Sequence, residues 1–326
     1  MKVIVTGGAG YIGSIAVERL LERGDVVVVL DNCWRGHQRA VPNDVELLEV
    51  DLRDAEAVTS AIAAVKPEAV LHFAAATIVP ESVSQPAEYF AINVSGTLNV
   101  LSAMASAGVQ KIVFSSTAAV YGEPKDPVIR EDADLVPINP YGLSKLAVEQ
   151  MLPAFERAYG LAYVVFRYFN VAGATKERGE DHRPETHVIP VALQTLLGKR
   201  DHFSIFGTDY PTPDGTAIRD YVHVVDLVDA HLLALDRLDN SLGEFNLGSR
   251  DGFSVRQIVG AIEHITGSKL PVTEAPRREG DPPVLIADST RARTDLGWSP
   301  SQSTLDEMIG SAWDWMQRNP DGYGEL

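Results

Sequence analysis

Three glycines at a spacing of three, Gly7, Gly10 and Gly13, constrain this chain more than any other feature, because they sit between a strand-like run and a helix-like pattern. Lys2–Thr6 (KVIVT) is β-branched and apolar on both faces, as in a strand buried inside a parallel sheet. After the glycines, Ile12, Ala16, Leu20 and Leu21 recur at helical spacing, and the pattern stops near Gly24. A glycine turn in that setting lets backbone N–H groups approach a pyrophosphate, and the helix N-terminus adds partial positive charge. Glycine also serves any tight strand-to-helix turn, so the motif alone leaves both readings open. Asp31 narrows the choice. It ends a second strand-like run, Val26–Leu30, 18 residues after Gly13. A carboxylate there accepts hydrogen bonds from an adenosine ribose and repels a 2′-phosphate, which favours NAD over NADP. Arg35 lies close by and is the residue that would suit the phosphate instead.

The unit then repeats. Val45–Val50 precedes Asp51, a helix is expected over about Asp54–Val65, and Ala69–Phe73 (AVLHF) reads as the next strand. A helix through about Ala87–Ala107, a strand over Lys111–Ser115, a helix from about Tyr141 to Tyr159 and a strand over Tyr163–Arg167 follow. Short apolar strands alternating with amphipathic helices predict an α/β fold, a Rossmann-like doubly wound parallel sheet. Near Val171 the texture turns to Gly, Pro, Thr and charge, and from Arg250 the chain reads as a smaller mixed α/β C-terminal lobe. The expected division is 1–170 for the dinucleotide, with a later return over about 216–247, and about 171–215 plus 248–326 for the substrate.

Composition excludes other classes. With 45 acidic against 28 basic side chains, the net charge of −17 does not suit a nucleic-acid or anionic-membrane partner. No apolar run reaches the ~18 residues that span a bilayer, and the segment after Lys2 is no signal peptide. Cys33, the single cysteine, cannot form an internal disulfide. A cytoplasmic location is the expectation.

Tyr141 and Lys145 stand at i and i+4, on one face of a helix. When a carbon gives up hydride, its hydroxyl must lose a proton, and a free Tyr with a pKa of ~10 is too weakly basic at neutral pH. A positive charge ~4 Å away contributes at most ~4 kcal/mol at an effective dielectric of ~20, so Lys145 with a cationic nicotinamide could bring Tyr141 into range. An amphipathic-helix Tyr beside a surface Lys is the plainer reading of the pair alone. Thr117, following the strand Lys111–Ser116, adds a hydroxyl at the carboxyl end of a parallel strand, where open α/β sheets bind ligands.

Gly-x-x-Gly-x-x-Gly together with Thr117, Tyr141 and Lys145 resembles the extended branch of the short-chain dehydrogenase/reductase superfamily. VTGGAGYIGS at the start, FSSTAAVYG over Phe114–Gly122, PYGLSK over Pro140–Lys145, RYFN over Arg167–Asn170, the block Ile205–Asp226 with YPTPDG and RDY, and PRREGD over Pro276–Asp281 resemble the UDP-glucose (UDP-galactose) 4-epimerase family. The resemblance covers almost the whole chain. It implies a catalytic group of Thr117, Tyr141 and Lys145. It implies an NAD site of Gly7, Gly10, Tyr11, Ile12, Gly13, Asp31, Asn32, Asp51, Leu52, Phe73, Ala74, Ala75, Asn93, Ser115, Tyr141, Lys145 and Tyr168. For the UDP-sugar it implies Thr117, Tyr141, Asn170, His187, Val188, Phe203, Ser204, Phe206, Arg219, Val255, Arg278, Asp281 and Leu285, with the two arginines suited to a diphosphate. It also implies a tightly bound NAD that is regenerated each cycle, a transient 4-keto sugar and a homodimer.

The chain departs from the family at Thr117, where many members carry Ser, at Thr77, where some carry a Lys on the cofactor, and at Leu285, intermediate in size at a position that gates the sugar. UDP-N-acetylhexosamine, UDP-glucuronate and UDP-pentose therefore stand as alternative substrates. A nucleotide-sugar dehydratase would need an acid and a base where Ala118 and Ala119 stand, and a non-catalytic NAD-binding regulator would not need the Tyr–Lys pair. His72, His187, His223 and His231 lack metal-ligand spacing such as H-E-x-x-H, so no metal is expected. Cys33 reads as an inert thiol, and Trp313 and Trp315 as packing residues of a terminal helix.

Overall fold

The computed structural model describes residues 1–278 and 281–324. Seven parallel strands form the central sheet, in the spatial order Gly243–Leu247, Ala162–Tyr168, Lys111–Thr117, Ala69–His72, Lys2–Thr6, Val26–Asp31 and Glu46–Glu49. Register is tight: Val3 pairs with Val27 and Ala69, and Phe114 pairs with Val165. Strands buried on both faces must be apolar on both faces, and Val3, Ile4, Val5, Val29, Leu71, Val113 and Val164 are all fully buried. Two hydrophobic layers result. One packs Ile15, Leu20, Val228 and Leu235 against one face, and the other packs Ile62, Leu101, Met104, Val148 and Leu152 against the opposite face.

The helix Ala55–Val65 starts where Asp54 accepts from the Glu56 and Ala57 amides. The helical region expected over about 87–107 is composite: Pro86–Phe90, a π-helical stretch over Ala91–Gly96, then Thr97–Ala107. Taken together, Pro86–Ala107 is 22 residues long and holds an 18-residue window with a mean hydropathy of 1.2, enough by length and composition for a membrane span. Its buried face, with Val100, Leu101 and Met104, is instead spent on the core of the sheet. Strand Lys111–Thr117 runs to Thr117, so that residue ends the strand rather than following it. The apolar stretch Tyr221–Leu235 is divided between strand Tyr221–His223 and helix Val224–Arg237.

Residues 243–247 return to the central sheet beside Ala162–Tyr168. The remaining strands form a mixed four-stranded sheet, in which Ile218–Arg219 pairs antiparallel with Phe253–Ser254 and parallel with Val284–Ala287, and two small parallel pairs. A third core of Ile189, Leu193, Phe203, Ile258, Met308 and Trp315 lies under them. Trp315 is 2 % exposed in the helix Leu305–Arg318, a packing residue as its spacing predicted.

Candidate active site

At the carboxyl end of Lys2–Thr6 the chain turns through Gly7 at φ +72°. A Cβ on Gly7 would lie 2.5 Å from the Ala74 amide nitrogen, and one on Gly13 would lie 2.1 Å from the Gly7 carbonyl oxygen. Gly10 caps the helix Tyr11–Glu22, and a Cβ there would meet only the Gly7 oxygen, at 3.3 Å. First and third glycines thus close the turn on itself, while the second keeps the helix N-terminus open to an anion. Gly13→Ala forces backbone apart, an overpacking cost of ~1–3 kcal/mol. The variant is expected to hold NAD roughly ten- to a hundredfold more weakly. Equilibrium binding of NAD to the purified variant checks this, and unchanged affinity would contradict it.

Asp31 closes the far side. One carboxylate oxygen accepts from the Ala9 amide at 3.0 Å and the other from Cys33 at 2.8 Å, fastening the turn to the second strand. Burial raises its pKa, and those two amides oppose the rise. Asn32 donates to Asp51 at 3.2 Å, and Asp51 is held down to about 2 chiefly by hydrogen bonds from Arg53. Arg35 is turned to Glu81 at 2.7 Å and the Arg183 carbonyl at 2.8 Å. An acidic rim whose nearby guanidinium is already engaged suits ribose hydroxyls better than a 2′-phosphate. Glycine turn, helix terminus and rim together fit a dinucleotide.

Other residues expected at this site are mostly structural in their side chains. Tyr11 is buried and donates to the Gly173 carbonyl at 2.5 Å, and Ile12 packs on the core, leaving their backbones to face the turn. Asn93 is satisfied by both polar groups of the Ala76 backbone and by Ser144. Leu52 is buried, while Phe73, Ala74, Ala75 and Tyr168 are half-buried at the strand ends. Cys33 has its thiol pushed up to about 11 by burial, which keeps it protonated and inert.

Thr117 ends its strand beside the helix Pro140–Tyr159, whose first turn is capped by Asn139 accepting from Gly142 at 2.8 Å. Tyr141 and Lys145 occupy successive turns of that helix, both buried. Burial pushes the Tyr141 phenol up to about 12, and the Thr117 hydroxyl pulls it back. Lys145 donates to the Ser115 carbonyl at 2.9 Å and is driven down to about 7 by burial, against the pull of Glu149. The expected tuning joins Lys145 to a cationic nicotinamide; in the protein alone, burial governs the phenol. Desolvation penalises both charged forms, so Tyr141 is a neutral phenol at neutral pH until further positive charge adjoins it.

A residue outside the expected catalytic group supports this pair. Glu149 extends the spacing Tyr141, Lys145 by one more helical turn, and it holds buried Arg167 at 2.6 Å. Ser116 also donates to Glu149, and Arg167 reaches the Tyr121 hydroxyl and the Glu131 carbonyl, each at 3.1 Å. His231 packs at a tilt against Phe73 and Phe166, with ring centroids 4.9 and 4.7 Å apart. His72, His223 and His231 are buried, hydrogen-bonded and held to about 3, 4 and 4 by desolvation, so they are neutral core histidines.

Of the candidate substrate residues, Arg278 and Asp281 line an open cleft of about 500 Å³, together with Glu123, Arg277 and three prolines. Arg278 lies over the Phe206 ring at 4.1 Å, and Arg219 is ion-paired with Asp281. Leu285 pairs with Arg219 across the small sheet. Asn170 donates to the Asp220 carbonyl at 2.8 Å, Ser204 lies 3.2 Å from the Thr273 hydroxyl, and Val188 begins the helix Val188–Leu196. Phe203 is not in the cleft. At 3 % exposure it belongs to the third core, because a strand residue alternating with Ser204 must point inward. Val255 opens the helix Val255–Thr266 and spends its amide on the Ala217 carbonyl. Glu279 and Gly280 of the PRREGD motif, and the last two residues 325 and 326, lie outside the described residues.

His187 departs from the other histidines. It meets Glu180 and Glu185, each at 2.8 Å, and these carboxylates override burial and hold its pKa well above the ordinary value. His182 joins them at 3.0 Å from Glu180. The signal in the sequence is E-x-H-x-x-E-x-H over eight residues of loop, a spacing with no helical period.

Residues 3–248 match the model of the NAD dependent epimerase/dehydratase family. The chain is 50 % identical over 329 aligned positions to a UDP-glucose 4-epimerase of Lacticaseibacillus casei, covering 100 % of this chain and 99 % of the relative. A crystal structure of a UDP-glucose 4-epimerase superposes with a TM-score of 0.97 at 46 % identity, covering 100 % of both chains. That of the Brucella ovis UDP-glucose 4-epimerase in complex with NAD superposes with a TM-score of 0.93 at 44 % identity, covering 96 % of this chain and 97 % of that one.

Proposed function

The chain belongs to the NAD dependent epimerase/dehydratase family, and from that premise we propose that it inverts carbon 4 of a UDP-hexose, UDP-galactose to UDP-glucose, through a transient 4-keto sugar. The reaction is an NAD-dependent epimerisation. The observation that carries the residue roles is Tyr141, buried beside Thr117 and one helical turn from Lys145, at the strand ends next to the glycine turn. NAD, held by these residues, would supply the hydride chemistry in both directions.

Tyr141 takes the proton of the sugar's 4-hydroxyl, and Thr117 holds that oxygen through its own hydroxyl. Lys145, fixed by the Ser115 carbonyl and supported by Glu149, holds the ribose and adds the positive charge that a phenolate needs. Asp31 and Asn32 hold the adenosine end, and Gly10 with the helix N-terminus holds the pyrophosphate. Arg219 and Arg278 take the substrate's diphosphate, which requires Arg219 to share its hold on Asp281. Asp281 then accepts from the uridine ribose. A firmly held diphosphate and a loosely held hexose let the 4-keto sugar rotate and accept hydride on its other face. Ala118 and Ala119 offer no acid or base for dehydration.

In this reading residues 1–170, with 216–247, hold NAD, and about 171–215 with 248–326 hold the UDP-sugar. The protein works in the cytoplasm as a homodimer. Leu98 and Leu143, exposed on two helices that touch, support a helical dimer surface.

The test is to incubate the purified protein, with no NAD added, with UDP-galactose, UDP-N-acetylgalactosamine, UDP-glucuronate and a UDP-pentose in separate reactions. Turnover of UDP-galactose to UDP-glucose is the expected result and also reports retained cofactor. Bound NAD with no turnover of any nucleotide sugar overturns the catalytic reading, and turnover of another sugar alone reassigns the substrate.

A further inference from the structure

The loop between the strand Asn170–Ala172 and the helix Val188–Leu196 brings four side chains with metal-ligating atoms to one point. Glu180, His182, Glu185 and His187 each offer one such atom, and these four atoms lie within 4.8 Å of one another. Both imidazoles present Nδ1: His182 and His187 stand 3.0 and 2.8 Å from Glu180 Oε1. The two carboxylates are buried, with side-chain exposures of 6 % and 2 %, while the imidazoles are partly open at 31 % and 47 %.

One atom of this group is unaccounted for. Glu185 Oε1 accepts from the Thr186 amide, the His187 amide and His187 Nδ1 at 2.7, 2.7 and 2.8 Å. Glu185 Oε2 is buried and has no hydrogen-bond partner, and it stands 3.9 Å from His182 Nδ1. A carboxylate oxygen left bare in a buried position is costly unless something binds it. A separation of 3.9 Å is too long for a hydrogen bond. It is close to the ~3.4 Å between neighbouring ligands of a tetrahedral ion with bonds of ~2.1 Å.

We propose that Glu180 Oε1, His182 Nδ1, Glu185 Oε2 and His187 Nδ1 form a binding site for a divalent transition metal, zinc first. Two imidazoles and two carboxylate oxygens make a four-ligand N₂O₂ set of the kind zinc accepts. Calcium would take 6–8 oxygens, and magnesium near-octahedral oxygen. Charge agrees, since a dication neutralises two buried carboxylates. The site sits beside the dinucleotide turn, because the His182 ring packs edge-on against Tyr11 at 6.2 Å and Tyr11 bonds to Gly173 at the start of the same loop. A metal there braces the loop between the glycine turn and the helix that begins at Val188. The competing arrangement is two protons, one on each histidine.

The experiment is calorimetric titration of chelator-treated protein with zinc chloride, alongside thermal unfolding with and without zinc. Wild type is expected to bind about one zinc per chain and to unfold at a higher temperature with it. His182→Asn, at a partly exposed position where folding is preserved, and Glu185→Gln are each expected to bind at least about tenfold more weakly and to lose the thermal shift. Circular dichroism verifies that both variants fold. Absence of stoichiometric binding in wild type overturns the site in favour of the two-proton arrangement, and so does equal binding by a folded His182→Asn protein.

Discussion

Tyr141→Phe is expected to lower epimerisation by about 10²- to 10⁴-fold, the usual contribution of a positioned acid–base group, while leaving NAD in place. The substitution removes one oxygen. The ring stays, edge-on to Tyr89 at 6.5 Å, in a site that is 9 % exposed, so the packing is preserved. Burial holds the phenol near 12, which makes it a poor base in the protein alone, and the oxygen becomes useful only when positive charge adjoins it. The dinucleotide cradle rests on Gly7, Gly10, Gly13 and Asp31, none of which touches the phenolic oxygen, so cofactor content should barely change. Chromatographic assay of UDP-glucose formed from UDP-galactose, with NAD released by denaturation and measured on the same samples, checks both halves. A variant within about threefold of wild type would remove Tyr141 from the chemistry, since a loss that small falls below acid–base catalysis.

Arg167→Ala is expected to have the largest effect on stability, about 3–5 kcal/mol, because it leaves Glu149 as an uncompensated buried charge. The guanidinium and carboxylate are 4 % and 5 % exposed, and Arg167 donates to both Glu149 oxygens. Replacing both partners by apolar residues of similar length, Glu149→Met with Arg167→Met, is expected to recover most of the loss, since desolvation of a buried pair roughly cancels its attraction. Denaturant titration of the single and double variants measures this. A single-variant loss under about 1 kcal/mol would mean that the pair behaves like an exposed one. The double variant should keep its fold yet lose activity, because Lys145 then has no carboxylate to favour its protonated form.

Local pattern made much of this molecule legible. A strand buried on both faces must be continuously apolar, so KVIVT, VVVVL and KIVFS announced three strands of the central sheet. The glycine turn and Asp31 could be read together because a parallel β–α–β unit brings them together at a fixed distance along the chain. Tyr141 and Lys145 share a helix face by spacing alone. What stayed hidden depends on partners remote in sequence or on irregular backbone. Glu149 shows the helical spacing, but nothing local says that Arg167 from a neighbouring strand will cover it. Arg219 and Asp281 were each read as substrate residues, and only tertiary packing joins them to each other. Phe203 reads as a ligand residue within its motif, yet strand alternation turns it inward. Glu180 to His187 follow no period, since a loop sets their directions.

The strand Gly243–Leu247 has a further bearing, on synthesis. Its neighbour Ala162–Tyr168 is complete about 75 residues earlier, which at 5–20 residues per second leaves roughly 4–15 s of translation before the partner emerges. Through that interval Val164 and Phe166 end a sheet with an uncovered edge, the arrangement most prone to pairing with another chain. The acidic surplus of the nascent chain is then a solubility device as much as a property of the finished enzyme, because mutual repulsion keeps neighbouring unfinished copies on a ribosome cluster apart.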